Sequence, residues 1–159
     1  MSSFEYVKSL TSQEKVLFIR MIIALIGEDD EVDVKERNFI KEISRQYKIS
    51  KSEFDLVQIR CSGEELINEA ADILDRNKSL FLIKELLTVA NTDNNLDDRE
   101  IDFIIQLSTA LNIEDEKIME INQLVLDQIN LLERYHVVME VWYYLIFLIL
   151  FLFHRICLN

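Results

Sequence analysis

Apolar residues recur along most of this chain at intervals of three and four, the period of helices that bury one face. After a short amphipathic opening around Phe4, Tyr6, Val7 and Leu10, Thr11 and Glu14 have capping-box spacing, which predicts that a helix starts there. From Val16 to Ile26 the chain is apolar almost all round, as a helix at the centre of a domain requires. Asp33 with Glu36 starts the next helix, whose buried stripe is Val34, Phe39, Ile40, Ile43 and Tyr47. Ser50 with Glu53 restarts the chain, the short helix that follows sets Phe54, Val57 and Cys61 on one face, and Ser62-Gly63 breaks it. A connecting helix through Leu66, Ile67, Ala70, Ile73 and Leu74 leads to Asp75-Arg76-Asn77-Lys78. A second central helix then runs from Leu80 to Ala90. Asp97 and Glu100 cap the next one, which packs through Ile101, Phe103, Ile104, Leu107 and Leu111 and ends at Asn112. The last and longest helix puts Ile118, Ile121, Leu124, Val125, Ile129 and Leu132 on one face and meets no breaker before Arg134.

The pattern repeats itself. Slid along itself by sixty-four residues, the sequence matches Ile19 with Ile83, Asp29 with Asp93, Asp33 with Asp97 and Glu36 with Glu100 without a gap. Phe39 with Phe103, Ser44 with Ser108 and Ile49 with Ile113 follow in the same register. Each copy reads as an apolar helix, an acidic turn and an amphipathic helix, repeated over about 12–60 and 76–132. The predicted fold is therefore all-α: a bundle of about seven to nine helices built from two tandem helix–acidic turn–helix repeats, plus an apolar C-terminal helical tail.

The tail has a different chemistry. Residues 137–153 are apolar except for Glu140, with Trp142, Tyr143 and Tyr144 near one end and His154 and Arg155 beyond the other. At about 1.5 Å per residue this run reaches roughly 25 Å, slightly less than a hydrocarbon core of about 30 Å. A membrane anchor with its aromatic residues at the interface, a last helix buried on the domain and an adventitious tail all fit that pattern. The expected division is a helical domain over 1–136 and the tail over 137–159.

Composition narrows the classes. The chain has 159 residues, no proline and two glycines, which leaves no room for a Gly-rich phosphate loop or the punctuation of an all-β fold. A net charge of -12 repels phosphate backbones, so nucleic acid is excluded as a partner and cations or basic protein surfaces are favoured. Cys61 and Cys157 form no disulfide framework, and Cys61 reads as a small buried residue. The N-terminus lacks the basic and apolar regions of a secretory signal. Met21, Met119 and Met139 read as packing residues. Glu133 and His136 form a single Glu-x-x-His, whereas a di-iron bundle needs two such motifs and two further glutamates, so His136 reads as a surface histidine.

The candidate chemistry lies in the acidic turns. Capping and the helix dipole account for Asp33, Glu36, Asp97 and Glu100. They do not account for Asp29, Glu31, Asp93 and Asn95, which add oxygen ligands at every second position upstream. Such alternation suits a hard cation, Ca²⁺ or Mg²⁺, rather than a thiolate-seeking metal. The match to an EF-hand is partial: with Glu36 and Glu100 as closing glutamates, the opening positions are Leu25 and Val89, which carry no side-chain oxygen. Metal-binding turns and solvated capping loops both fit these residues.

With its duplicated turn, Asp29-Asp30-Glu31-Val32-Asp33 through Glu36 and Asp93-Asn94-Asn95-Leu96-Asp97 through Glu100, the chain resembles the TerB-like (tellurite-resistance B) proteins over residues 12–136. The resemblance implies an all-helical, acidic, internally duplicated fold, metal binding at Asp29, Asp33, Glu36, Asp93, Asp97 and Glu100, and a role in stress-response systems with membrane partners or co-chaperones. The sequence departs from that pattern at Asp30 and Asn94, where the family commonly has glycine. The expectation is a non-enzymatic module that binds divalent cations and signals to a protein partner, in the cytoplasm and attached to the inner face of the membrane by its tail. The alternative is a metal-free, membrane-tethered interaction adaptor with a co-chaperone-like role.

Overall fold

A computed structural model describes the backbone of residues 3–26, 34–59, 61–91 and 98–157 and the side chains of 6–26, 40–59, 61–91 and 98–139. Among these residues the fold is all-helical, with no strand and eight helices. They are α1 (Ser3–Ser9), α2 (Ser12–Ile26), α3 (Val34–Gln46), α4 (Lys51–Val57), α5 (Gly63–Ile73), α6 (Arg76–Ala90), α7 (Asp98–Ala110) and α8 (Asp115–Cys157). The chain divides into two compact units, Met1–Asn122 and Gln123–Asn159.

Within the first unit α2 is central and packs against α3, α4, α5, α6 and α7. Its sequence explains why: Leu17, Phe18, Ile19 and Met21 fall on all sides of one helix, and each is fully buried. On α6, Leu82, Ile83 and Leu86 are buried as completely. A ladder of rings joins the layers, with Tyr6 of α1 4.2 Å from Phe81, Phe81 5.8 Å from Phe18, and Phe18 6.3 Å from Tyr47. Gly63 opens α5 where it crosses α7, and a Cβ there would lie 3.1 Å from the Phe103 ring.

Helix starts follow local capping chemistry. Thr11 Oγ1 accepts from the Glu14 amide at 3.3 Å while Glu14 Oε2 accepts from the Thr11 amide at 2.8 Å, closing the expected box. Ser50 and Glu53 do the same for α4. Ser62, expected to break a helix, instead caps α5 through a third box with Glu65. Asp75 caps α6, which therefore starts at Arg76, four residues ahead of the expected Leu80.

The bounds of α2 shifted by sixty-four residues coincide with those of α6, and those of α3 with those of α7. The helix ends correspond as well. Lys48, at φ 52, and Asn112, at φ 51, follow α3 and α7 in the left-handed region. Around them Lys48 N–H donates to the Arg45 carbonyl and Ile49 N–H to the Ser44 carbonyl, while Asn112 N–H donates to Thr109 and Ile113 N–H to Ser108. Both are Schellman closures, which satisfy carbonyls that the ends of the helices would leave open.

Three expectations about side chains are corrected. Cys61 is exposed rather than buried, because α4 ends at Val57 and the chain leaves the helical path before reaching it. Met119 is 64% exposed and does not serve as a packing residue. On α8 the expected single face is split: Val125 is buried, whereas Leu124 and Leu132 are exposed. A helix that is apolar on more than one side gives no indication from its period of which side is covered.

Candidate functional site

The two acidic links join helices that are matched in length, fifteen residues before each (α2, α6) and thirteen after (α3, α7). α3 begins at Val34 and α7 at Asp98, directly after Asp33 and Asp97, where caps are expected. Of the predicted ligands, Asp29, Glu31, Asp33, Asp93, Asn95 and Asp97 lie outside the described residues. Glu36 has its backbone in α3 and its side chain outside them. Glu100 sits in the first turn of α7, half-buried, with an electrostatic or hydrogen-bonding partner of its own. Among the described residues no three His, Cys, Asp or Glu side chains gather as a metal group.

The frame around the links is held by polar contacts that tie distant helix ends together. Asn91, at the start of the second link, donates from Nδ2 to the Leu87 carbonyl at 2.7 Å and to Asn122 Oδ1 of α8 at 3.0 Å. Below it, Tyr47 OH donates to Glu85 Oε2 at 3.4 Å, and Glu85 Oε1 lies 2.9 Å from Lys84 Nζ. Burial, reinforced by the Glu85 charge, pushes ionisation of the Tyr47 phenol far above its ordinary range.

The start of α2 meets the start of α6 through Glu14 and Lys78. Lys78 Nζ donates to Glu14 Oε1 at 2.6 Å, and its amide is held by Asp75 Oδ1 at 2.9 Å. Burial raises the pKa of Glu14, but hydrogen bonds from Lys78 and from the Thr11 amide outweigh it and hold the carboxyl below its ordinary value. The hydrogen bond to Glu14 raises the Lys78 pKa in return. At the start of α6, Arg76 Nη2 donates to Glu114 Oε2 at 2.6 Å and Nη1 to the Asn112 carbonyl at 3.2 Å, pinning the α7–α8 connection. A hydrogen bond from Ser12, with others from Ser50, pulls Glu53 down to about 2 and links the starts of α2 and α4.

Sequence reasoning missed one cluster. Arg20 Nη1 lies 3.5 Å from Glu69 Oε2, and Nη2 donates to the Ile59 carbonyl at 3.4 Å and to Cys61 Sγ. Arg20 sits in a run otherwise apolar, and a lone charge in such a run is the signal that points to a specific polar partner. Its role here is to fasten the α4–α5 connection to α2. Glu133 and His136 are both exposed on α8, as expected of surface residues.

Neither a family model, nor a curated protein, nor a solved structure matches the chain. Among the described residues no helix is long and apolar enough to cross a membrane, and the side chains of 140–157 in α8 lie outside them.

Proposed function

We propose that the chain is a non-enzymatic, duplicated helical module of TerB-like type that binds divalent cations at its two acidic links and passes that state to a protein partner in a stress response. One observation carries the reading: two seven-residue links rich in oxygen side chains, 27–33 and 91–97, are each set between a fifteen-residue and a thirteen-residue helix. Helix capping needs one or two such side chains per link. The first link carries five carboxylates, Glu28, Asp29, Asp30, Glu31 and Asp33, whose mutual repulsion a Ca²⁺ or Mg²⁺ ion would relieve. The second is less charged, with Asp93, Asn94, Asn95 and Asp97, so the links are expected to differ in affinity. Binding there fixes the angle between a central helix and its successor, converting a local change of charge into a shape that a partner can read.

The test is calcium titration of the whole chain by calorimetry with parallel thermal melts, using magnesium and zinc for comparison. Saturable heat and a raised melting temperature are expected, since a cation that binds the folded state stabilises it by mass action. Asp93→Asn with Asp97→Asn should weaken binding and leave helicity nearly intact. Absence of heat and of any melting shift, or an affinity indifferent to that pair, would overturn the assignment.

A further inference from the structure

On α8, Leu124, Gln128, Leu131, Tyr135 and Val138 follow one another at alternating steps of four and three, the spacing that keeps a stripe in line along a two-helix seam. The four apolar members are large and open to solvent, 68% for Leu124, 64% for Leu131, 59% for Tyr135 and 53% for Val138. Large exposed apolar side chains aligned along one helix face and rimmed by polar residues mark an interaction site. Beside the stripe, at equivalent places one heptad apart, stand Asp127 and Arg134, of opposite sign.

We infer that this stripe pairs with the same stripe of a second copy of the chain, the two helices running antiparallel about a twofold axis between Ile129 and Asn130. In that register Leu124 meets the partner's Tyr135 and Gln128 meets the partner's Leu131. Asp127 lies beside the partner's Arg134, and symmetry makes each of these contacts twice, as an isologous interface requires. The charge pattern selects this direction: a parallel pair sets Asp127 and Arg134 against Leu132 and Met139 of the other copy and gains no ion pair. Gln123, Asp127, Gln128, Asn130, Glu133 and Arg134 crowd the same segment, which favours another amphipathic helix over lipid as its cover.

The test is the mass of the full chain by light scattering and sedimentation, in non-ionic detergent to mask residues 141–153. A species of twice 18.8 kDa that dissociates on dilution is expected. Arg134→Glu alone and Asp127→Arg alone should each weaken the dimer about tenfold or more by opposing like charges, and the two together should restore it. The substituted positions are exposed, and circular dichroism verifies that each variant stays folded. Four outcomes overturn the proposal: a chain that stays at 18.8 kDa at every concentration, a dimer that detergent abolishes, one that ignores the charge swaps, or a monomer whose binding to anionic vesicles is lost on Leu131→Glu.

Discussion

Glu14 and Lys78 form a half-buried ion pair, 2.6 Å between Oε1 and Nζ, from the same place, the third residue, in α2 and in α6. Glu14 is 5% exposed, and both of its oxygens are used, one by Lys78 and one by the Thr11 amide. The pair therefore joins two helix caps as well as two helices.

Its pH dependence follows from the directions of the two shifts. Glu14 is held below its ordinary value of 4.5, so its contribution is complete above that value and is lost as pH falls through the lower, folded-state one. Lys78 is raised above 10.5, so its contribution is complete below that value and is lost as pH rises through the folded one. Tyr47 adds to the alkaline loss, because its folded pKa is raised by burial and the unfolded chain ionises first. Lys78→Met should destabilise the chain at pH 7 and flatten the alkaline limb of the melting profile only in part, leaving the tyrosine's share. An alkaline limb unchanged in Lys78→Met would contradict this account. Glu14→Gln should flatten the acid limb in part, since Glu53, Glu65 and Glu114 are also lowered.

Lys48 and Asn112 close their helices in the left-handed region, which costs a residue other than glycine roughly 1–2 kcal/mol, with asparagine the less penalised. Lys48→Gly should stabilise the fold by about 1 kcal/mol, and Asn112→Gly by less. Urea denaturation of the two variants gives the comparison directly. Equal effects, or a loss at Lys48, would mean that the lysine side chain compensates for the strain.

Ser44 and Ser108 are both buried, at 7% and 1% exposed, but only one is satisfied. Ser108 Oγ donates to the Ile104 carbonyl at 2.6 Å, whereas Ser44 Oγ lacks a hydrogen-bond partner among the described residues. Ser108→Ala should therefore cost about 0.5–1.5 kcal/mol and Ser44→Ala should be neutral or stabilising. Thermal melts that reverse this order would show that Ser44 has a partner.

Exposed and at the end of the Arg20 cluster, Cys61 should react with a thiol reagent in the native state at a rate that denaturant raises only modestly. Cys61→Ala should change stability by less than about 1 kcal/mol. Cys157→Ser serves as background for the labelling, so that a single thiol is followed. Protection of Cys61 until global unfolding would return it to the core.

What the sequence made legible was mostly local. Thr11 with Glu14 and Ser50 with Glu53 lie three residues apart, and their boxes formed as that spacing predicts. Ser62 escaped notice because Gly63 suggested a break, although Glu65 completes the same motif. Asp75 escaped for a more instructive reason: the third position after it is Lys78 rather than a glutamate, and the partner of that lysine is sixty-four residues away. Long-range partners have no periodicity to reveal them. Likewise the helical period identified Leu124 and Leu132 as apolar members of α8 but not as exposed ones. Of the candidate ligands, the helices on either side were legible, while Glu100 is the one whose side chain is described.

The Glu14 and Lys78 pair also sets which helix starts can be exchanged. Identical side chains at that meeting point, glutamate against glutamate or lysine against lysine, would repel and would have to leave the contact open or neutral. Opposite charges at the third residue of α2 and of α6 make the two helix starts non-interchangeable: a chain with the start of α2 in both places would set two carboxylates against each other where one ion pair now stands.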